Sequence, residues 1–177
     1  MANCIYCKAP LPAQAAFCPA CGKKQVVIYQ QTFQRGKLSE DVFIEKINQW
    51  FAQYPTVANV KAKFLTRTGM GMFVNKYVLD AVAIEYEQFP NGNTNQYAVV
   101  ALNKTGLAKL DTNALLADWK QANPGATVVC RDGGVHQRGD AAALAFMNGL
   151  GAMNHTQLYV LFKFDRNRGP GLPAPNK

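Results

Sequence analysis

In the stretch Val60-Lys61-Ala62-Lys63-Phe64-Leu65-Thr66-Arg67, apolar Val60, Ala62 and Phe64 alternate with basic Lys61, Lys63 and Arg67. A two-residue period sends successive side chains to opposite faces, so this stretch is expected to be a β-strand with one buried face and one basic face. The segment Thr68-Gly69-Met70-Gly71 reads as a turn, and a long β-rich run follows from Phe73 to Phe89. Pro90-Asn91-Gly92-Asn93 then turns the chain into a third strand around Gln96 to Asn103. Three strands in this order suggest an antiparallel meander.

Upstream of the first strand, Ser39 is placed to cap a helix. Glu40 and Asp41 lie in its first turn, Leu38 and Phe43 can form a staple, and Phe43, Ile47, Trp50, Phe51 and Tyr54 recur at helical spacing. Pro55 stops the helix, because a proline disfavours helical geometry at the preceding residue. Downstream, Asp111 can cap a helix carrying Leu115, Leu116 and Trp119, which Asn123-Pro124-Gly125 ends before a strand at Thr127 to Arg131. Asp140 can cap a third helix to about Leu150, and Leu158 to Phe164 is the last strand candidate. The order α-β-β-β-α-β-α-β predicts an α+β domain over 38–165, with a mixed, mainly antiparallel sheet packed with helices. No repeat of the solenoid or propeller kind is visible.

The N-terminal segment 1–24 is a different kind of module. Cys4-Ile-Tyr-Cys7 and Cys18-Pro-Ala-Cys21 are two CxxC pairs ten residues apart. A two-residue gap lets one tight turn aim both sulfurs at a tetrahedral ion, and two such turns fill all four positions of a zinc site. With no position left for a catalytic water, the expectation is one structural Zn²⁺ on Cys4, Cys7, Cys18 and Cys21. So short a segment buries too little surface to fold unaided, which couples its folding to the metal.

Cys18-Pro19-Ala20-Cys21-Gly22, with Phe17 before it, resembles the second knuckle of the short bacterial zinc-ribbon family, whose members read approximately CPxCG, spacer, CPxCG. Cys4-Ile5-Tyr6-Cys7-Lys8 departs from that pattern by lacking the proline and the terminal glycine, so Lys8 stands at a backbone position that glycine adopts more easily. The resemblance covers residues 1 to about 24. It implies zinc and, often, a different C-terminal domain, and it transfers no specific activity.

Residues 25–37 combine a short β-like run, Val26 to Tyr29, with a polar, Gln-rich connection, while 166–177 read as a flexible tail. The chain has 177 residues, 49% hydrophobic and 17% charged, enough apolar material for a core and too little charge for disorder. Four of five cysteines precede residue 22, which favours metal binding over a secreted disulfide framework. With no secretory signal pattern and no apolar run of membrane length, the reading is a cytoplasmic protein without a membrane partner. The formal charge of +8 counts the thiols as neutral, and four thiolates on one divalent ion would leave about +6. Such an excess attracts acidic partners only nonspecifically.

Weaker candidate sites lie downstream. Arg131, Asp132, His136 and Arg138 fall in a polar stretch between a strand and a helix, where ligand sites often lie, and they form a possible anion site. Lys61, Lys63 and Arg67 make a possible basic surface for nucleic acid, though no aromatic platform is interleaved with them. Gly69-Met-Gly-Met72 lacks the lysine and hydroxyl ending of a phosphate loop and reads as a hairpin turn. Cys130, alone in an apolar strand, reads as a buried inert thiol, and His155 as structural or surface. The spacer Lys8 to Phe17 is mostly apolar, which suits protein contact better than a phosphate backbone. The sequence therefore points to a non-enzymatic binding or docking protein with a protein partner. Its alternatives are a nucleic-acid-binding protein and an enzyme centred on His136 and Arg138. It leaves the oligomeric state open.

Overall fold

A computed structural model describes residues 2–4, 6–12, 15, 17–24, 28–71, 74–88, 95–106, 111–137 and 154–165. A two-stranded ladder, β1 (Ala2–Asn3) and β2 (Pro10–Leu11), belongs to the cysteine segment. Then follow β3 (Ile28–Gln34), α1 (Glu40–Gln53), β4 (Val57–Gly71), β5 (Val74–Gln88), β6 (Asn95–Gly106), α2 (Thr112–Ala122), β7 (Thr127–Gln137) and β8 (Asn154–Asp165). The strands make two three-stranded sheets, ordered β3-β5-β4 and β6-β8-β7. Every described pairing is antiparallel, so the expected mixed sheet is replaced by two antiparallel ones.

The local signals act as expected. Ser39 Oγ accepts from the Val42 amide at 3.4 Å, and α1 closes at Tyr54 ahead of Pro55. Asp111 Oδ1 accepts from the Asn113 backbone amide at 3.2 Å at the start of α2, and the Asn113 side chain, donating to Oδ2 at 2.9 Å, together with that amide holds the Asp111 carboxyl below its ordinary pKa. In β4, Val60 and Phe64 are buried while Lys61, Lys63 and Arg67 are exposed.

Pairing departs from expectation in three places. Thr68–Gly71 continues β4 instead of turning, with Gly71 opposite Val74, so these glycines lie within the ladder. Residues 28–34, inside the span read as a connection, form β3 and pair along β5 without a bulge. Because β3 and β4 occupy both edges of β5, β6 has no place beside it and pairs with β8 in the second sheet. The expected meander is thus divided. The helix expected from Asp140 to about Leu150 and the tail 166–177 lie outside the described residues.

The main core lies between the sheets. Phe43, Ile47 and Phe51 of α1 meet Val82 and Ile84 of β5 and the inward residues of the second sheet, Tyr97, Val99, Tyr159 and Leu161. The alternate positions Leu102, Leu158, Val160 and Phe162 form a second core with Leu115 and Trp119 of α2, where Trp119 stacks on Phe162 at 3.9 Å. Both faces of this sheet are therefore apolar, which explains why β8 reads as a continuous hydrophobic run. The outer face of the first sheet carries Gln30, Thr32, Lys61, Lys63 and Glu85 around a shallow groove of about 270 Å³. Among the described residues no helix is long and apolar enough to cross a membrane.

Candidate metal centre

Two similar backbone turns present the cysteines. In the first, the Lys8 amide donates to the Cys4 carbonyl at 3.0 Å and the Cys4 amide to the Ala9 carbonyl at 2.8 Å. In the second, Gly22 donates to Cys18 at 2.8 Å and Cys18 to Lys23 at 2.9 Å. Lys8 and Gly22 occupy equivalent left-handed positions, with φ of 63° and 67°. The sequence departure at Lys8 is thus a difference of residue type on one shared backbone path. The bridge Phe17–Lys24 closes the second turn.

The four sulfurs all lie within 4.8 Å of one another. Cys4 Sγ and Cys21 Sγ are 3.7 Å apart, and Cys7 Sγ and Cys18 Sγ are 3.6 Å apart. A disulfide would need about 2.05 Å. Sulfurs bound at about 2.3 Å in a tetrahedron stand about 3.8 Å from each other, so the spacing fits a shared ion. The amides of Tyr6 and Cys7 each donate to Cys4 Sγ at 3.3 Å. Loss of water raises the Cys4 pKa, but these two amides and the neighbouring thiols outweigh it and bring it down to about 6. The Ala9 amide favours the Cys7 thiolate, yet the Cys4 sulfur and loss of water push Cys7 up to about 12. Cys4 and Cys18 are buried with Leu11, while Cys7 is exposed.

The other sequence candidates are spread through the larger fold. Arg131–Gln137 belongs to strand β7 and is not the loop expected there, because β8 supplies a partner along its whole length. Arg131 is exposed, and its Nη1 donates to Asn113 Oδ1 at 2.8 Å at the start of α2. Asp132 is half-buried and pairs with Tyr159, one step along the strand and therefore on the opposite face from Arg131. His136 pairs with His155, so the chain's two histidines occupy directly opposed positions on β7 and β8. Arg138 lies outside the described residues. On the first sheet, Lys61 meets Glu85 at 3.2 Å and Arg67 Nε meets Asp80 at 2.6 Å, so acidic partners on β5 offset part of the basic face. Cys130 packs on the main core, and burial pushes its thiol pKa up.

One polar cluster was not anticipated. Tyr159 donates its hydroxyl to Glu40 Oε2 at 2.5 Å, and Gln157 Nε2 donates to Glu40 Oε1 at 3.0 Å and to the Tyr159 hydroxyl at 2.6 Å. Gln157 Oε1 and Arg35 Nε are buried without a partner. Glu40 reads as a helix-start residue, Gln157 precedes the apolar run Leu158 to Phe164 and Tyr159 lies within it, so no local pattern joins them. Gly133 opposite Leu158 gives β7 its close approach, since a Cβ there would collide with the Gln157 carbonyl and come within 2.7 Å of Leu158 Cα.

Comparison with protein-family models, with curated proteins and with solved structures returns no match. The four-cysteine cluster therefore rests on its own geometry as a candidate metal site.

Proposed function

We propose that Cys4, Cys7, Cys18 and Cys21 bind one structural Zn²⁺ as a zinc ribbon, and that the protein is a non-enzymatic binding or docking protein whose partner is another protein. The observation that carries the metal reading is the convergence of four sulfurs within 4.8 Å. An all-thiolate set suits Zn²⁺, and with four protein ligands the ion is closed to substrate. The resemblance of Cys18-Pro-Ala-Cys21-Gly22 to the bacterial zinc-ribbon knuckle supports the same choice.

The docking reading rests on what the ribbon displays. Tyr6 and Phe17 are 54% and 59% exposed, and Lys23 Nζ lies 4.7 Å from the centre of the Tyr6 ring. Exposed aromatics of this kind are enriched at protein interfaces, which supports a protein partner.

Elemental analysis of protein purified without chelator is expected to show one zinc per chain, and Cys18→Ser to lose it while Cys130→Ser keeps it. A folded ribbon with four free thiols and no metal would sink the proposal. Titration with generic DNA and RNA across salt concentrations tests the partner class, since tight binding that weakens steeply with salt would replace the docking reading with a nucleic-acid one.

A further inference from the structure

Among the described residues, nothing covers the outer edge of strand β3. Among the described residues its only strand partner is β5. The other edges are covered: Asn48 of α1 takes both the amide and the carbonyl of Val99 on β6, at 2.7 and 3.0 Å, and β4 and β7 lie against each other. Natural edge strands are usually guarded by charge, proline or a bulge. The sequence Ile28-Tyr-Gln-Gln-Thr-Phe-Gln34 has no charge and no proline, and its register with β5 is continuous. Apolar surface is left in water around it, with Ile28, Tyr29 and Tyr54 exposed by 58%, 39% and 45%.

The Arg35 amide donates to the Asp80 carbonyl at 2.8 Å in continuation of the β3–β5 register. Antiparallel bonding alternates along a strand, so Tyr29, Gln31 and Phe33 also direct their backbone groups toward β5. Ile28, Gln30, Thr32 and Gln34 direct theirs to the open side. The Thr32 carbonyl is met there by the Gln31 side-chain amide at 3.4 Å, a long contact that another strand would readily displace.

We propose that β3 is the seam of a two-fold homodimer, in which the β3 strands of two chains pair antiparallel about Gln31 and join the first sheets into one six-stranded sheet. Antiparallel pairing about Gln31 sets Gln30 of one chain opposite Thr32 of the other and Ile28 opposite Gln34. These are the residues whose backbone groups face outward, so this one register uses every open group of the strand. It also sets Tyr29 opposite Phe33 at the closer, non-hydrogen-bonded positions, where aromatic pairs contribute most. Tyr29 already stacks on Tyr86 at 5.6 Å and Phe33 meets Trp50 at 5.4 Å, so the seam extends an aromatic cluster present in each chain.

Charge does not oppose a second copy at this strand despite the net +8 of the chain. The strand is neutral, and the flanking cations are partnered, Lys24 with Glu87 at 3.1 Å and Arg35 with Asp80 at 3.7 Å. About Gln31 the pairs Tyr29/Phe33 and Gln30/Thr32 are chemically alike, aromatic with aromatic and polar with polar, which matches the middle of the strand to itself as an isologous interface requires.

Sedimentation velocity on the full, zinc-supplied chain tests the proposal. The expected result is a species of twice the 19.4 kDa chain mass at about 100 μM. Gln30→Lys with Thr32→Lys places lysine against lysine on both sides of the axis and should weaken the dimer about tenfold or more. Gln30→Lys with Thr32→Glu places lysine against glutamate in this register alone and should restore it. Circular dichroism and zinc content check that both variants are folded. A wild-type monomer at that concentration, a dimer indifferent to the lysine pair, or failure of the charge swap to restore association would each overturn the proposal. A foreign strand captured by an otherwise monomeric chain would do so as well.

Discussion

Lys8 and Gly22 occupy one backbone position in two equivalent turns, at φ 63° and 67°, so the first turn carries a side chain where the second carries none. The left-handed conformation costs a non-glycine residue about 1–2 kcal/mol, and glycine returns part of that through the greater freedom of the unfolded chain. Lys8→Gly is expected to leave a net gain of about 0.5–1 kcal/mol, read as a two- to fivefold tighter zinc affinity in competition with a chromophoric chelator. Weaker binding would mean that contacts of the Lys8 side chain outweigh the backbone term. Tyr159 has the opposite sensitivity. Burial, followed by the hydrogen bond and negative charge of Glu40, pushes its pKa above the ordinary tyrosine value near 10. A pKa raised by folding means that the unfolded chain loses the proton first, so the stability is fully present below about pH 10 and falls as pH rises beyond it. Tyr159→Phe is expected to cost about 1–2 kcal/mol at neutral pH, because it removes a buried hydrogen bond to a charged group. It should also flatten the alkaline decline in urea unfolding above about pH 10, while a slope equal to wild type there would place that sensitivity elsewhere. Tyr86, raised by burial and by Tyr29 and Tyr54, keeps part of the decline in either chain.

The elements differ in how much of their stability is local. α1 and α2 carry their own start signals in Ser39 and Asp111, and both caps bond as those side chains require. β3 has no such independence. Its glutamines and threonine resemble a linker, and it becomes a strand because β5 offers an open edge and Phe33 finds a place in the core, 8% exposed and edge-on to Trp50. A chain beginning at Arg35 loses Phe33 and all the β3–β5 hydrogen bonds. Loss of a buried phenylalanine alone costs about 3–5 kcal/mol, against a typical total stability of about 5–15 kcal/mol for such a domain. Thermal unfolding of that chain is expected to be broad or absent, whereas a chain beginning at Lys24 keeps a cooperative transition. An unchanged transition in the shorter chain would show that β3 contributes nothing to the fold.

Across the whole molecule, the described elements β3-α1-β4-β5 and β6-α2-β7-β8 run in the same β-α-β-β order twice, and each set arranges its sheet in the order first, last, middle strand. The copies differ in packing: α1 lies in the core between the sheets, while α2 covers the outer face of the second. That duplication was invisible in the sequence, because a sheet order is a set of long-range pairings and no residue repeat accompanies it. The same limit explains the other differences. Alternation in Val60 to Arg67, the caps at Ser39 and Asp111, and the CxxC spacing are short-range patterns, so backbone geometry and one tight turn suffice to read them. Whether Thr68–Gly71 turns or continues a strand, which strand lies beside β5, and that Glu40 meets Gln157 and Tyr159 depend on residues far apart in the chain. By itself the sequence determined α1 and α2, two of the three helices it suggested, the strand-rich character of the larger part and the four-cysteine cluster. Tertiary structure alone decided the partition into two antiparallel sheets, the conversion of a polar connection into the edge strand β3, and the opposition of His136 and His155. Local periodicity sets which face of a segment is apolar, but the free energy of closing the whole core chooses which segments share that face.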